Sequence, residues 1–435
     1  MSKKALIIGS ARSGNAVAKL LTQNDYECLV IDEKKVLDQE GLKALNIQFI
    51  EGPFDFKLLE TKYDLVVKNP GIPQSHPFVQ ACVQKGYFMY TEIEVASWYA
   101  NNYRYAAITG TNGKTTTTEL LQTILKLEDD KNCAAGNVGI PLSEVVLNDD
   151  KGYKKIALEI AAFQLLGIKN FHPEVSVILN LAPDHLDVFD TVKDYYDAKA
   201  LIVDNLKEED WFLKNIDDEN INKLNPKNCR IITYSLVQKA DLYLSGNEVI
   251  LFDKVLFNVS DLRIKGLHNV QNAMISAVCA YKLGVSLDII QQGIKSFKGV
   301  EHRIEFIDEV NGIEYYNDSK ATTAESTKVA LNAFAKPLIV LVGGYDKKTG
   351  FDILKEDLKQ AKAVIAFGAT KDQFKALYPN TILKNDMKEA FDTANELAVK
   401  GDVILLSPAC ASYDQFNNYE ERGRIFKAYV SQLRN

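Results

Sequence analysis

The sequence predicts an α/β protein of three domains, in which mostly parallel sheets are covered by helices. Short apolar runs with the composition of buried strands alternate with helical patterns along the whole chain, and this alternation is typical of parallel sheets. The chain has 435 residues, which corresponds to about three domains at roughly 150 residues each. We place these domains at residues 1–92, 93–298 and 299–435.

In the first domain, the runs KALIIG, ECLVID and DLVVK predict buried strands, and a helix that begins near Ser13 joins the first two. The turn from Gly9 to Gly14 has alanine at position 11, so it fails the G-x-G-x-x-G pattern of dinucleotide-binding folds. Asp32 ends the second strand, where a Rossmann-like fold keeps the acid that binds ribose. These residues are equally consistent with a dinucleotide site and with a purely structural turn, and a nucleotide-bearing ligand bound through its diphosphate would fit the same geometry.

The second domain is predicted to contain the strands YAAIT (105–109), KIALEI (155–160) and VSVILN (175–180). Two predicted helices, 267–283 and 287–297, follow them. The glycine-rich turn Gly110–Thr116 follows the first strand and precedes a helix, which is the setting of a phosphate-binding loop. There Lys114 would reach the β- and γ-phosphates of ATP, and the Thr115 hydroxyl would bind Mg²⁺. Ile108 stands where the common phosphate-loop motif has its first glycine. The loop predicts a nucleotide but does not specify a reaction.

Two residues of the second domain suggest a metal site. Glu159 lies in an otherwise apolar strand, where a carboxylate is costly unless it is paired or bound to a metal. His185 follows the next strand, between Asp184 and Asp187, and ligands of α/β folds gather at the carboxyl ends of strands. Spacing alone leaves open which residue of this cluster would bind a metal.

The third domain opens with a predicted hairpin, because Asn311-Gly312 separates two alternating runs. Three further strands are predicted: PLIVLVGG (337–344), KAVIAF (362–367) and DVILLS (402–407). Polar residues are dense near the predicted ends of elements: Asn269, Asn272, His302, Arg303, Asn317, Asp318, Ser319 and Lys320. Each group could be a ligand-binding site, or only a helix cap or a salt-bridged turn.

Composition argues against several kinds of partner and site. The net charge is −7 and is spread evenly, which disfavours nucleic acid and anionic membranes as partners. The six cysteines form no C-x-x-C pair, so neither a zinc site nor a disulfide framework is predicted. No run approaches the roughly 20 apolar residues of a membrane-spanning helix. We expect a cytoplasmic monomer with small-molecule substrates.

Several motifs together resemble the Mur ligases, the ATP-dependent ligases of peptidoglycan synthesis. They are TGTNGKTTT, GLHNVQNA, FKGVEHRIEF and YYNDSKAT. The stretches AGNVGIPL, EIAAFQL, NLAPDHLD, GGYDK and LLSPACASYDQFNNYEERGRIF are similar to the members that add D-glutamate. The resemblance spans the chain and implies Rossmann-like first and third domains around a P-loop ATPase-like second domain. It also implies ligation of D-glutamate to UDP-MurNAc-L-alanine (UDP-N-acetylmuramoyl-L-alanine) through an acyl phosphate, with release of ADP and phosphate.

Matching the motifs residue by residue implies roles for individual side chains. The implied ATP-binding residues are Gly110, Thr111, Asn112, Gly113, Lys114, Thr115, Thr116, Asn269, Arg303 and Asp318. The implied ligands of two Mg²⁺ ions are Thr115, Glu159, His185 and a carbamylated Lys199, while Lys114 and Lys320 would neutralise charge during phosphoryl transfer. The UDP-sugar would contact Ser13, Asp32, Asn69, Gly71 and Asn137. D-Glutamate would contact Thr322, Lys347, Ser412 and Tyr419.

The chain departs from the family pattern at uncharged positions: Ala161 and Ala162 replace serines, Asn69 a serine, Ala324 an asparagine and Tyr419 a phenylalanine. The paired alanines put in doubt hydroxyl contacts beside the metal. Two other hypotheses remain. One is another amide ligase of the same architecture, such as the L-alanine-adding ligase or a folylpolyglutamate enzyme, and the other is a non-catalytic nucleotide-binding regulator.

Overall fold

The computed structural model describes residues 2–100, 102–149, 152, 154–184, 188–264, 266–345 and 350–434. Two predicted site residues, His185 and Lys347, lie outside these ranges. The chain divides into two compact units, residues 1–297 and 298–435. Within the described ranges, no helix has both the length and the apolar character needed to cross a membrane.

The first unit contains two sheets, and the first of these is a five-stranded parallel sheet of order β3-β2-β1-β4-β5. Its strands are β1 Lys3–Ile8, β2 Tyr26–Asp32, β3 Gln48–Glu51, β4 Leu65–Lys68 and β5 Met89–Tyr90. Its helices are α1 Arg12–Gln23, α2 Gln39–Ala44, α3 Pro77–Gln84 and α4 Glu92–Ser97, with a 3-10 helix at Phe56–Glu60. The strand order reverses between β1 and β4, which is where open α/β sheets bind ligands. The three predicted strands and the helix near Ser13 are confirmed.

The second sheet has nine strands in the order β14-β13-β12-β11-β10-β9-β6-β8-β7. They are β6 Tyr103–Thr109, β7 Cys133–Gly136, β8 Lys154–Glu159, β9 Val175–Ile178, β10 Trp211–Asn215, β11 Arg230–Ser235, β12 Leu242–Ser245, β13 Glu248–Leu251 and β14 Lys254–Asn258. Its helices are α5 Lys114–Glu128, α6 Leu142–Leu147, α7 Ala162–Leu165, α8 Val192–Ala200, α9 Glu219–Asn222, α10 Leu267–Lys282 and α11 Leu287–Ser296. Short 3-10 helices span Leu201–Val203 and Val259–Asp261. Strand β6 lies between β8 and β9 and is parallel to both, so the residues that follow these three strands share one edge.

The second unit is built on a six-stranded sheet of order β15-β16-β20-β17-β18-β19. The strands are β15 Glu305–Val310, β16 Ile313–Asn317, β17 Leu338–Gly343, β18 Ala363–Phe367, β19 Ile382–Leu383 and β20 Val403–Leu406. The helices are α12 Ala324–Leu331, α13 Lys355–Leu358, α14 Lys371–Leu377, α15 Met387–Leu397 and α16 Tyr419–Gln432, with 3-10 helices at Asp352–Leu354 and Gly368–Thr370. Asn311 and Gly312 both have positive φ, 54° and 78°, as a two-residue hairpin turn requires. The predicted hairpin and the α/β class with three sheets are confirmed.

Candidate active site

The glycine-rich turn lies at the carboxyl end of β6, and helix α5 begins at Lys114. Gly110 and Gly113 have φ values of 148° and 84°, which residues with a side chain rarely adopt. A Cβ atom at Gly113 would also lie 2.6 Å from Oδ1 of Asn272. Ile108, at the position of the missing first glycine, belongs to β6 and pairs with Glu159. The turn therefore has the geometry expected of a short phosphate loop, and it starts only at Gly110.

Asn180, which follows β9, fixes the conformation of this loop. Its backbone carbonyl accepts from Thr111 N at 3.0 Å, its Oδ1 accepts from Asn112 N at 2.8 Å, and its Nδ2 donates to Asn112 O at 3.0 Å. The loop is thus held in place by protein groups. The first N–H groups of α5 have no partner within the helix, and with the helix dipole they favour a phosphate at this end.

The predicted catalytic lysines of this unit converge on one carbonyl oxygen. Lys114 Nζ donates to Gly110 O at 2.7 Å and to Thr111 O at 2.8 Å, and Lys199 Nζ donates to Gly110 O at 2.9 Å. Lys199 is 1% exposed, and its Nζ lies 4.6 Å from the ring centroid of Tyr195. Burial, assisted by the charge of Lys114, lowers the pKa of Lys199 to about 7. Close to neutral pH, this lysine is therefore partly an uncharged amine.

Glu159 places a buried carboxylate beside the phosphate loop. It ends β8 and is 1% exposed. Oε1 accepts from Asn137 Nδ2 at 2.8 Å, whereas Oε2 has no hydrogen-bond partner among the described residues. A buried carboxylate is costly unless it is neutralised by a proton or by a nearby cation, and this one fits a bound metal ion.

Glu159 is not part of a larger cluster of metal-binding side chains within the described residues. No group of three His, Cys, Asp or Glu side chains there is arranged to hold a metal ion, and His185 lies outside them. Asn137, predicted to line the UDP-sugar path, bonds to Glu159 through its side chain and also through its backbone N–H, at 2.9 Å from Glu159 O. Asn137 is therefore tied to the residue predicted to bind the metal ion.

At the first sheet, three predicted UDP-sugar residues lie together where the strand order reverses. Asn69 Nδ2 donates to Ser13 Oγ at 3.0 Å, and Gly71 N donates to Asn69 Oδ1 at 2.9 Å. Asp32 has a separate structural task, because its carboxylate accepts from Ser10 N at 2.7 Å and from Lys34 N at 2.8 Å. These bonds give Asp32 a structural role, and they do not decide between a ligand site and a purely structural turn.

A cavity of about 390 Å³ lies next to these residues, between the loop that follows β4 and the helices α7 and α8. Its walls are mostly apolar, and the charged residues among them are Lys68, Asp190, Asp194 and Asp197. Arg12 connects the same two parts of the unit: it pairs with Glu144 at 2.9 Å and donates to Gly139 O at 3.3 Å. The cavity is thus bordered by both sheets of the first unit and is large enough for part of a sugar nucleotide.

Most of the predicted residues of the second unit follow β16 or β20, whereas Arg303 precedes β15. Asp318 is buried and accepts from Ser407 Oγ at 2.7 Å and from Ile304 N at 3.2 Å, and burial raises its pKa to about 7. Lys320 Nζ lies 5.9 Å from the ring centroid of Tyr419. The backbone contacts of the other predicted residues are Arg303 N to Val300 O at 3.1 Å and Thr322 N to Lys320 O at 2.9 Å.

Arg422, which sequence reasoning missed, joins the loops that follow these two strands. Its guanidinium is fully buried and donates to Ser319 Oγ at 3.0 Å and to Cys410 O at 3.1 Å. The first loop leads to Lys320, and the second leads to Ser412, which is also buried. Arg422 therefore holds together the loops that contain the predicted D-glutamate residues Thr322 and Ser412.

Three family models match the chain: the N-terminal domain of MurD-like Mur ligases over residues 3–90, the Mur ligase middle domain over 108–280 and the Mur ligase glutamate ligase domain over 302–410. Curated relatives match it from end to end. The UDP-N-acetylmuramoylalanine–D-glutamate ligase of Thermoanaerobacter pseudethanolicus is 39% identical, with 99% of each chain covered. The ligase of the same name from Bacillus subtilis is 36% identical, with 99% of this chain and 97% of that one covered.

Solved structures support the same architecture. The UDP-N-acetylmuramate–alanine ligase MurC of Thermotoga maritima superposes with a TM-score of 0.58 at 20% identity, covering 99% of this chain and 100% of that one. The MurF ligase of the same organism, in complex with ADP, has a TM-score of 0.58 at 19% identity, covering 99% and 96%. These likenesses establish the fold, and the full-length sequence relatives establish the membership. The chain belongs to the Mur ligase family.

Proposed function

We propose that the chain is an ATP-dependent ligase that joins D-glutamate to UDP-N-acetylmuramoyl-L-alanine and releases ADP and phosphate. The observation that carries this proposal is the phosphate loop with Lys114, Lys199 and Glu159 at one sheet edge, in a chain 39% identical to a ligase named for that reaction. An ADP-forming ligase needs this arrangement, because charge must be neutralised where the γ-phosphate is transferred.

The reaction has two steps. The terminal carboxylate of UDP-N-acetylmuramoyl-L-alanine attacks the γ-phosphorus, so that a C–O–P linkage forms and ADP leaves. The neutral amine of D-glutamate then attacks the acyl carbon, phosphate leaves through a tetrahedral intermediate, and the amine loses a proton. The residues of the chain contribute positioning and charge: Lys114 at the β- and γ-phosphates and Lys320 at the transferring phosphoryl group.

Mg²⁺ is the cofactor that this site would hold. Thr115, Glu159, His185 and the carbamate of Lys199 would be its ligands for two ions, because hydroxyl, carboxylate and carbamate oxygens suit a hard cation. When bound, Mg²⁺ neutralises charge on the phosphates of ATP. The support for this proposal is the buried Oε2 of Glu159, which has no hydrogen-bond partner among the described residues.

We expect Glu159→Gln to raise the Mg²⁺ concentration for half-maximal activity by at least about tenfold. The amide oxygen can still accept from Asn137, but it has no negative charge to offer a metal ion. The measurement is a Mg²⁺ titration of ADP release at saturating substrates. Glu248→Gln, an exposed position of the same unit, is the matched control. An unchanged Mg²⁺ dependence would remove Glu159 from the metal site.

The remaining assignments belong to the same proposal. The sugar nucleotide would contact Ser13, Asp32, Asn69, Gly71 and Asn137, and ATP would contact the loop together with Asn269, Arg303 and Asp318. D-Glutamate would contact Thr322, Lys347, Ser412 and Tyr419, with Lys347 as the cation for a carboxylate. We also propose the domain boundaries 1–92, 93–298 and 299–435, a cytoplasmic location and a monomer. The buried position of Ser412 and its connection through Arg422 support a preorganised amino-acid site.

ADP release should require both UDP-N-acetylmuramoyl-L-alanine and D-glutamate. We expect L-glutamate, L-alanine and glycine to give only background release with that sugar nucleotide, because a stereospecific site aims one amine at the acyl phosphate. A coupled ADP assay across amino acids makes the measurement. Release with another amino acid would establish the rival amide ligase, and no release with any would establish the non-catalytic regulator.

A further inference from the structure

Lys68 is a buried cation in the wall of the 390 Å³ cavity. It is the last residue of β4 and is 5% exposed. Its ammonium group donates to Ile72 O at 2.7 Å and to Asn69 O at 3.3 Å. Among the described residues, its hydrogen-bond acceptors are thus backbone carbonyls of the next loop.

This arrangement costs free energy, because a buried ammonium whose acceptors among the described residues are carbonyl oxygens alone is poorly compensated. Burial accordingly lowers the pKa of Lys68 to about 8. A neutral side chain could fill the same volume at lower cost. The presence of the Lys68 ammonium at this buried position therefore indicates that its charge acts on the adjacent cavity or loop.

The loop held by Lys68 is the one that contains Asn69 and Gly71. On its other side, Asn69 bonds to Ser13 and to Gly71 N, and a Cβ atom at Gly9 would lie 2.6 Å from Cβ of Asn69. The loop is thus fixed by the turn after β1 on one side and by the Lys68 ammonium on the other. Without the ammonium, the carbonyls of Asn69 and Ile72 would lose their shared donor.

Charge in the cavity favours the same role. Lys68 is the cation among its lining residues, which also include the carboxylates of Asp190, Asp194 and Asp197. A sugar nucleotide brings a diphosphate and a terminal carboxylate, which these aspartates would repel. The charge of Lys68 offsets part of this repulsion, and more strongly than an exposed lysine would because it is buried.

We propose that Lys68 is a positioning residue for the sugar nucleotide: it holds the Asn69–Ile72 loop in its binding conformation and places a positive charge beside it. The inference rests on the proposed function, which assigns Asn69 and Gly71 to that substrate. It goes beyond that function because it makes the affinity for the sugar nucleotide depend on a buried lysine, Lys68.

The test compares Lys68→Met, which keeps the length of the side chain but removes the ammonium, with Lys68→Arg, which keeps the charge and donors. Lys68→Met should raise the KM for UDP-N-acetylmuramoyl-L-alanine at least about tenfold, and leave kcat and the KM values for ATP and D-glutamate within about twofold. Lys68→Arg should recover most of the loss. Lys85→Met is the matched control, since Lys85 also donates to a backbone carbonyl, Leu59 O, in the same part of the chain, but is exposed.

Two outcomes would overturn the inference: an unchanged KM for the sugar nucleotide in folded Lys68→Met, or an equal rise of all three KM values with a lower Tm. If Lys68→Met does not fold, Lys68→Gln, which keeps an N–H donor without the charge, is judged by the same criteria. Thermal stabilisation of wild type and variants by the sugar nucleotide alone is measured in parallel. It reports on Lys68 even if D-glutamate fails to drive ADP release, so failure of the inference and of the proposed function are distinguishable.

Discussion

Lys114→Ala is expected to lower kcat by at least about 100-fold, with a much smaller effect on folding. The ammonium group of Lys114 lies at the start of α5, where it donates to Gly110 O and Thr111 O. Its charge gains importance as negative charge builds up on the leaving ADP and the transferring phosphoryl group. Alanine removes that charge while keeping the helix, because alanine has the highest helix propensity.

Steady-state ADP release with all three substrates saturating measures this effect. Lys126→Ala is the matched control, because Lys126 belongs to the last turn of the same helix and is exposed. Equal Tm values for the two variants would show that the loss is catalytic. A Lys114→Ala enzyme with near-normal kcat would mean that another group neutralises the transferring phosphoryl group.

The strands of the sheet centres could be predicted from the sequence because they are buried on both faces and therefore read as continuous apolar runs. KALIIG, YAAIT and PLIVLVGG are such runs, and they became β1, β6 and β17. Several missed strands lie at or towards sheet edges, but β10 (WFLKN) lies in the middle of the nine-stranded sheet and is buried, and its apolar run is only three residues long. Strand β3 (QFIE) is largely exposed and β5 has two residues, so neither has the continuous apolar pattern that identifies a central strand.

The candidate site could be predicted where its residues end a strand or lie just beyond the turn that follows one. Glu159 ends β8 and Lys114 follows the turn after β6, and the same rule would have found Asn180, the last residue of the run VSVILN. Lys199 was assigned through family resemblance, because it meets Gly110 across 89 residues only when α8 packs against the loop. Lys68 and Arg422 could not be recognised, because their importance comes from burial. A lysine at the end of a strand and an arginine in a helix usually indicate a solvated surface.

Lys199→Ala is the second replacement with a large expected effect: we expect at least about a 100-fold loss of kcat, with partial recovery on adding a small carboxylate such as formate or acetate. A carbamate forms when a neutral amine attacks CO₂, so that an N–C bond forms and a proton leaves. With a pKa of about 7, Lys199 is mostly neutral at pH 8, whereas an ordinary lysine, with a pKa of about 10.4, is almost fully charged there.

The position of Lys199 suits this modification. A carbamate nitrogen keeps one N–H, so the bond to Gly110 O at 2.9 Å could persist while the new oxygens face a metal ion. Carbamylation is favoured as pH rises through the pKa of about 7 and is lost below it. Removal of CO₂ and bicarbonate should therefore lower the activity of the wild-type enzyme, most strongly below pH 7, and added bicarbonate should restore it.

Two further variants separate a carbamate from a simple cation at this position. Lys199→Arg keeps a positive charge and a donor for Gly110 O but cannot be carbamylated under these conditions, so it should remain inactive. Lys193→Ala, on the same helix with an 80% exposed side chain, should behave as wild type with or without CO₂. Two results would instead assign Lys199 a role as a buried cation that holds the phosphate loop. One is activity in Lys199→Arg. The other is wild-type activity that is insensitive to CO₂, together with no recovery of Lys199→Ala by carboxylates. The distinction matters for the metal site, because a carbamate brings Mg²⁺ a negative oxygen ligand, whereas an ammonium in the same place would repel it.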